Sequence, residues 1–162
     1  MNNNLMIFEN PEFGAVRSIL IDGDPWFVAA DVCKALELEK TNRALSRLDD
    51  DEKGAHSVST PGGRQRMSII SESGLYSLIL GSRKPEARAF KRWITHEVIP
   101  SIRKHGAYMT DSLLDALEAH PEAVPEYLNR LRSENARNRE LTRRLRLALP
   151  KAEYYDAFVD PA

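Results

Sequence analysis

The chain has 162 residues, with 23 Lys and Arg against 24 Asp and Glu, a formal charge of −1 at neutral pH. That near cancellation excludes a histone-like, polybasic protein but not nucleic-acid binding, because the field at a face depends on where charges cluster. With 42% apolar residues the chain can bury a core and is not intrinsically disordered, and its length suits one domain of about 100–150 residues plus an appendage.

Taken in order, Leu5-Met6-Ile7-Phe8 and Val16-Arg17-Ser18-Ile19-Leu20-Ile21 read as strands separated by the turn signal Asn10-Pro11-Glu12-Phe13-Gly14. Asp22-Gly23-Asp24 then turns the chain into a third strand, Trp26-Phe27-Val28. From Ala30 the period becomes helical, with Val32, Ala35 and Leu36 on one face and Asp31 in the first turn, where a carboxylate suits the helix dipole. A second helix is expected over Thr41 to Leu48, ended by the acidic run Asp49-Asp50-Asp51-Glu52. His56-Ser57-Val58-Ser59 should pair across Thr60-Pro61-Gly62-Gly63-Arg64 with Met67-Ser68-Ile69-Ile70 as a hairpin. Helices follow over Glu72 to Leu80 and Pro85 to about Lys104. The second of these has Pro at its first position, a kink or restart at Pro100 and a stop at Gly106, with Ala89, Trp93, Val98 and Ile102 facing the core.

Residues 109–123 read as a linker or short helix, and 124–149 as an Arg-rich helix in which a heptad can be written. Its a positions are Val124, Leu131, Asn138 and Leu145, and its d positions Tyr127, Glu134, Leu141 and Ala148. A lone Asn at an a position favours a two-stranded register, so a homodimer or higher homo-oligomer through Val124, Tyr127, Leu131, Asn138, Leu141 and Leu145 is expected, against the alternative of a solvated helix. The fold class is α+β: a small antiparallel sheet with hairpins packed on several short helices, then a long C-terminal helix.

No apolar run approaches the roughly 20 residues of a membrane-spanning helix. The opening Met1-Asn2-Asn3-Asn4 lacks the basic and apolar regions of a secretory leader, and the single Cys33 has no disulfide partner, so a cytoplasmic protein without membrane attachment is expected.

Local charge says more than the sum. Arg83, Lys84, Arg88, Lys91, Arg92, Arg103 and Lys104 stand against only Glu86 and Glu97, and seven Arg between Arg130 and Arg146 against only Glu134 and Glu140. Each basic residue set on a phosphate adds affinity through counterion release. Ala30 to Leu36 and Lys40 to Leu48 read as a helix-turn-helix whose second helix offers Lys40, Thr41, Asn42, Arg43 and Arg47, side chains that include readers of adenine and guanine edges. The downstream hairpin places Arg64 and Arg66 on a flexible tip, where the wing of a winged helix touches phosphates.

Catalytic patterns are missing. His96-Glu97 opens like a zinc-protease motif, but Pro100 stands where the second His is required. Gly62-Gly63 does not open a helix and is no phosphate-cradling loop, and neither Cys33 nor any Ser has a recognisable base partner. No enzyme activity, metal or cofactor is expected.

Phe8 through Arg17, Trp26-Phe27-Val28-Ala29-Ala30-Asp31-Val32, Pro61-Gly62-Gly63, Glu72-Ser73-Gly74-Leu75-Tyr76, and Phe90-Lys91-Arg92-Trp93 through Glu97-Val98-Ile99-Pro100-Ser101-Ile102-Arg103 resemble the Bro-N domain, over about residues 6–108. The resemblance implies a phage or prophage antirepressor in a bacterial host cell. Such a protein would relieve repression of lytic genes by binding double-stranded DNA or by titrating a phage repressor; a structural or assembly component is the third reading. In that family glycine is usual at the position of Glu37. Lys151-Ala152-Glu153-Tyr154-Tyr155-Asp156, within the tail 150–162, looks like the approach to an antirepressor C-terminal domain that the sequence does not complete.

Overall fold

A computed structural model of the chain describes residues 6–10 and 14–146. The chain divides into two compact units, Met1–Tyr108 and Met109–Ala162.

The first unit is built on a five-stranded antiparallel sheet of order β1-β2-β3-β5-β4: β1 (Met6–Asn10), β2 (Gly14–Ile21), β3 (Asp24–Val28), β4 (Lys53–Thr60) and β5 (Gly63–Ser71). Asp22 and Gly23 both take positive φ, 54° and 88°, the twist a two-residue hairpin turn requires, so Ile21 pairs directly with Asp24. Pro61-Gly62 makes the second tight turn. β4 and β5 pair all the way to Thr60 opposite Gly63, with Ser59 opposite Arg64 and Ser57 opposite Arg66. The pairing is longer than the expected hairpin, and Arg64 and Arg66 are therefore held in a strand ladder rather than on a flexible tip.

α1 (Ala29–Ala35) follows β3 without a break and lies on the sheet with α3 (Glu72–Gly81). Between them and the strands sits a core of Val16, Val32, Cys33, Leu36, Ile70 and Leu78, all less than a tenth exposed. The start of α1 is tied to β2 by a fork: Arg17 donates to Asp31 from its Nε (2.7 Å), its Nη2 (2.7 Å) and its backbone N–H (3.0 Å). Burial alone pushes the Asp31 carboxyl up. The Arg17 hydrogen bonds, with the charges of Arg17 and Lys34, outweigh that and hold it below the usual carboxylate range.

α3 is capped by Ser71, whose Oγ accepts from Gly74 N–H. Gly74 is there for room: a Cβ on it would stand 2.5 Å from the Glu52 carbonyl oxygen. α4 (Pro85–Trp93), a π-helical turn (Ile94–Val98) and α5 (Ile99–His105) form one continuous run ending at Gly106. The π turn follows from Pro100, which has no N–H to close a normal turn; Ile99 N–H instead bonds the carbonyl of Ile94. Thr95 Oγ1 reaches back to the carbonyl of Lys91 (2.9 Å), and His96 Nδ1 lies 3.1 Å from that of Arg92. The core-facing residues of this run are Ala87, fully buried, and Phe90, not the expected set: Ala89 is exposed, Trp93 and Ile102 are 37% and 49% exposed, and only Val98 is partly covered.

In the second unit residues 109–123, expected as a linker or short helix, are helical for most of their length. Thr110 caps α6 (Asp111–Ala119), a single 3-10 turn covers Pro121–Ala123, and α7 runs Val124–Arg146. Residues 147–149 of the expected helix and the tail 150–162 lie outside the described residues.

Two outcomes are expected. Asp31→Asn should cost about 1–2 kcal/mol by leaving Arg17 half-paired, discounted because the Arg17 side chain is 36% exposed. Because the folded carboxyl is depressed, its stabilisation is present above a pH of about 4 and lost as pH falls through the folded value; denaturant midpoints of wild type and variant should converge in acid. Gly74→Ala should cost about 1–3 kcal/mol in the same assay, since backbone must move to admit the methyl.

Candidate nucleic-acid interface

α1 ends in a Schellman turn: Leu38 N–H bonds the Cys33 carbonyl (2.8 Å) and Glu37 N–H that of Lys34 (3.1 Å). Glu37 takes φ +56°, the left-handed conformation that favours glycine. The turn leads to α2 (Thr41–Leu45), which is five residues long rather than the expected eight. α2 stops where Ser46 Oγ bonds the Arg43 carbonyl (2.9 Å) and Lys53 Nζ donates to the carbonyls of Leu45 (3.3 Å), which also accepts from Leu48 N–H, and of Leu48 (2.7 Å). Ala44 and Leu48 are buried, and Arg43 and Arg47 are exposed, Arg47 in the turn beyond the helix.

Across from this segment the chain passes from α3 to α4 through residues 81–85. Here Lys84, its side chain 14% exposed, crosses to α1: its Nζ donates to the Ala35 carbonyl (2.9 Å) and lies 3.5 Å from Glu37 Oε1. The two segments enclose an open groove of about 660 Å³ whose wall includes Lys40, Arg43, Arg47, Arg83 and Lys84, with Glu37 and Glu39 as counter-charges. Five basic side chains from sequence-distant stretches thus share one concave surface. Of these, Lys84 is already engaged in tying the two walls together, which leaves Lys40, Arg43, Arg47 and Arg83 facing solvent.

The other predicted positions are distributed differently. Asn42 is exposed on α2 but is not in the groove wall. Arg88 begins one helical turn after Lys84, and Lys91 and Arg92 follow at the next turn, all exposed along α4. Arg64 and Arg66, and Arg103 and Lys104 on α5, are exposed but not part of the groove. Sequence reasoning missed Glu37 and Glu39 as groove residues and Lys84 as its tie. The glycine-type position at Glu37 was the available signal.

A second, apolar hollow of about 380 Å³ lies under α1, α3 and α4 and shares Leu36 with the groove. Tyr76 at its edge donates to Glu72 Oε1 (2.8 Å), and burial, then that bond, pushes its phenol up to about 12. Tyr76, Phe90, Trp93 and Tyr108 form a ladder of rings with successive centroids 6.0, 5.7 and 5.8 Å apart. The Cys33 thiol is buried and pushed up by desolvation, the state of a packed core thiol. Among the described residues no helix is long and apolar enough to cross a membrane.

Residues 15–100 match the profile of the BRO family, N-terminal domain. The chain belongs to that family. It is 40% identical over 107 residues to an uncharacterized protein of Haemophilus influenzae, covering 64% of this chain and 49% of that one. A Bro-N domain-containing protein of Invertebrate iridescent virus 6 is 32% identical over 57% of this chain and 27% of its own length. A third, from Acanthamoeba polyphaga mimivirus, is 29% identical over 67% of this chain and 50% of its own. The chain thus spans half or less of the curated relatives it matches. No solved structure matches it.

Within the Bro-N domain, Glu37→Gly should raise stability by about 0.5–1 kcal/mol: relief of the left-handed side chain exceeds both the added freedom of the unfolded chain and the exposed pair with Lys84. Thermal unfolding of the two proteins checks this.

Proposed function

We propose that this Bro-N domain is the duplex-DNA-binding part of an antirepressor-type transcriptional regulator of phage or prophage origin, working in the bacterial cytoplasm. It acts by binding rather than catalysis, without metal or cofactor. The observation that carries the reading is the convergence of Lys40, Arg43, Arg47 and Arg83 on one groove. The phosphate backbone is the polyanion such a groove suits, and the exposed Asn42 on α2 stands beside it to meet base edges. Arg88, Lys91 and Arg92 extend positive charge along α4, so the near-zero total charge conceals a basic surface. In this reading Arg64 and Arg66 on β5, and Arg103 and Lys104 on α5, all exposed, serve as peripheral phosphate contacts.

A second reading rests on Trp93, Ile99 and Ile102, which are 37%, 54% and 49% exposed along α4 and α5. Exposed apolar side chains suit a protein partner, and a phage repressor captured there would be titrated from its operator.

Fluorescence anisotropy of a labelled duplex at several salt concentrations separates the two. Arg43→Ala with Arg47→Ala should weaken binding about tenfold to a hundredfold and lower the salt slope by about 2. Unchanged affinity removes the groove from the DNA reading. A stable complex with a co-expressed prophage repressor, lost in Trp93→Ala with Ile102→Ala and indifferent to the arginines, would favour the second.

A further inference from the structure

α7 carries an apolar seam whose central leucines are exposed. Leu131 and Leu141 are 38% and 46% exposed, and Leu128 at the flank 44%. In the register with Val124 at a, the seam runs Tyr127, Leu131, Glu134, Asn138, Leu141, Leu145. The order is apolar, apolar, polar, polar, apolar, apolar, which is the same in either direction.

That symmetry decides orientation. In a parallel pair each residue meets its own copy, so the two Glu134 side chains would repel within one buried layer. In an antiparallel pair a positions face d positions. The Tyr127 position then meets the Leu145 position of the second copy, and Leu131 meets Leu141. Glu134 meets Asn138, whose amide donates to the carboxylate. Every apolar position faces an apolar one and each polar residue has a partner. The cost is at the rim, where Arg137 faces its own copy near the centre and Arg130 faces Arg144 of the second copy. Arg130 and Arg144 already have their own counter-charges, Arg130 on Glu126 (3.0 Å) and Arg144 on Glu140 (3.0 Å), and exposed like charges are screened. A parallel pair buries the repulsion; an antiparallel pair leaves it in water.

We propose that α7 pairs antiparallel with α7 of a second copy of this chain, centred on Ala136. The starts of the two helices then stand about 36 Å apart along the pair.

Sedimentation equilibrium of the full chain, up to tens of micromolar, tests this with Leu131→Lys and Leu141→Glu. Both positions are exposed in the single chain, and unchanged circular dichroism confirms folding of each variant. The wild type should dimerise, and each variant alone should dissociate at least about tenfold more readily because a charge is left buried against leucine. Mixed in equal amounts the two variants should recover the dimer, since the introduced ammonium and carboxylate then share a layer only in the antiparallel arrangement. A wild type that stays monomeric, variants that dimerise alone, or a mixture that fails to recover would each overturn the proposal. No nucleic acid is present, so this result is independent of the DNA-binding reading.

Discussion

The fork between Arg17 and Asp31 is the constraint on which the arrangement of the first unit turns. A guanidinium and a backbone N–H of one strand hold both oxygens of a carboxylate in the first turn of α1, and this fixes the direction in which α1 leaves the sheet. Hydrophobic contact would press α1 against Val16 and Ile70 in many rotations; only directed bonds choose among them. Once α1 is set, its Schellman turn points the following residues back past Leu36, and α2 can only lie where Ala44 and Leu48 meet the same core.

The groove is therefore a tertiary product rather than a helix-turn-helix standing alone. One wall is the segment after α1 and the other is the loop into α4, joined by Lys84 across to Ala35 and Glu37. A lysine spent on a carbonyl and a carboxylate is lost to a ligand, but it holds the remaining basic side chains in a shared concavity. Preorganised charge costs less to use than charge that must be gathered on binding.

Much of this is legible in the sequence, and the misses have physical causes. Alternation and the Asp22-Gly23 turn mark the strands, and Pro85 and Gly106 bracket the long helical run, because these signals are local. α2 is shorter than its sequence suggests and ends at bonds from Ser46 and from Lys53, whose reach to the carbonyls of Leu45 and Leu48 no helical period announces. The hairpin tip reads as loose in the sequence because pairing up to Pro61-Gly62 depends on register across the whole ladder. The apolar spacing of α4 misleads about its core face because the helix packs on α3 through Ala87 and Phe90, while Trp93 lies against the rings of Phe90 and Tyr108 instead of entering the core. The meeting of residues 40–47 with 81–85 has no local signature at all.

The π turn before Pro100 has its own consequence for the basic run from Arg83 to Lys104. In an unbroken α-helix, Arg92 and Arg103, eleven residues apart, would fall nearly in line, and the charges would form one stripe. The widened turn adds roughly a quarter revolution between the two halves. One proline thus acts as a phase shifter, turning Arg103 and Lys104 off the line of Arg88 and Arg92 and spreading the run's charge over two sectors of its surface.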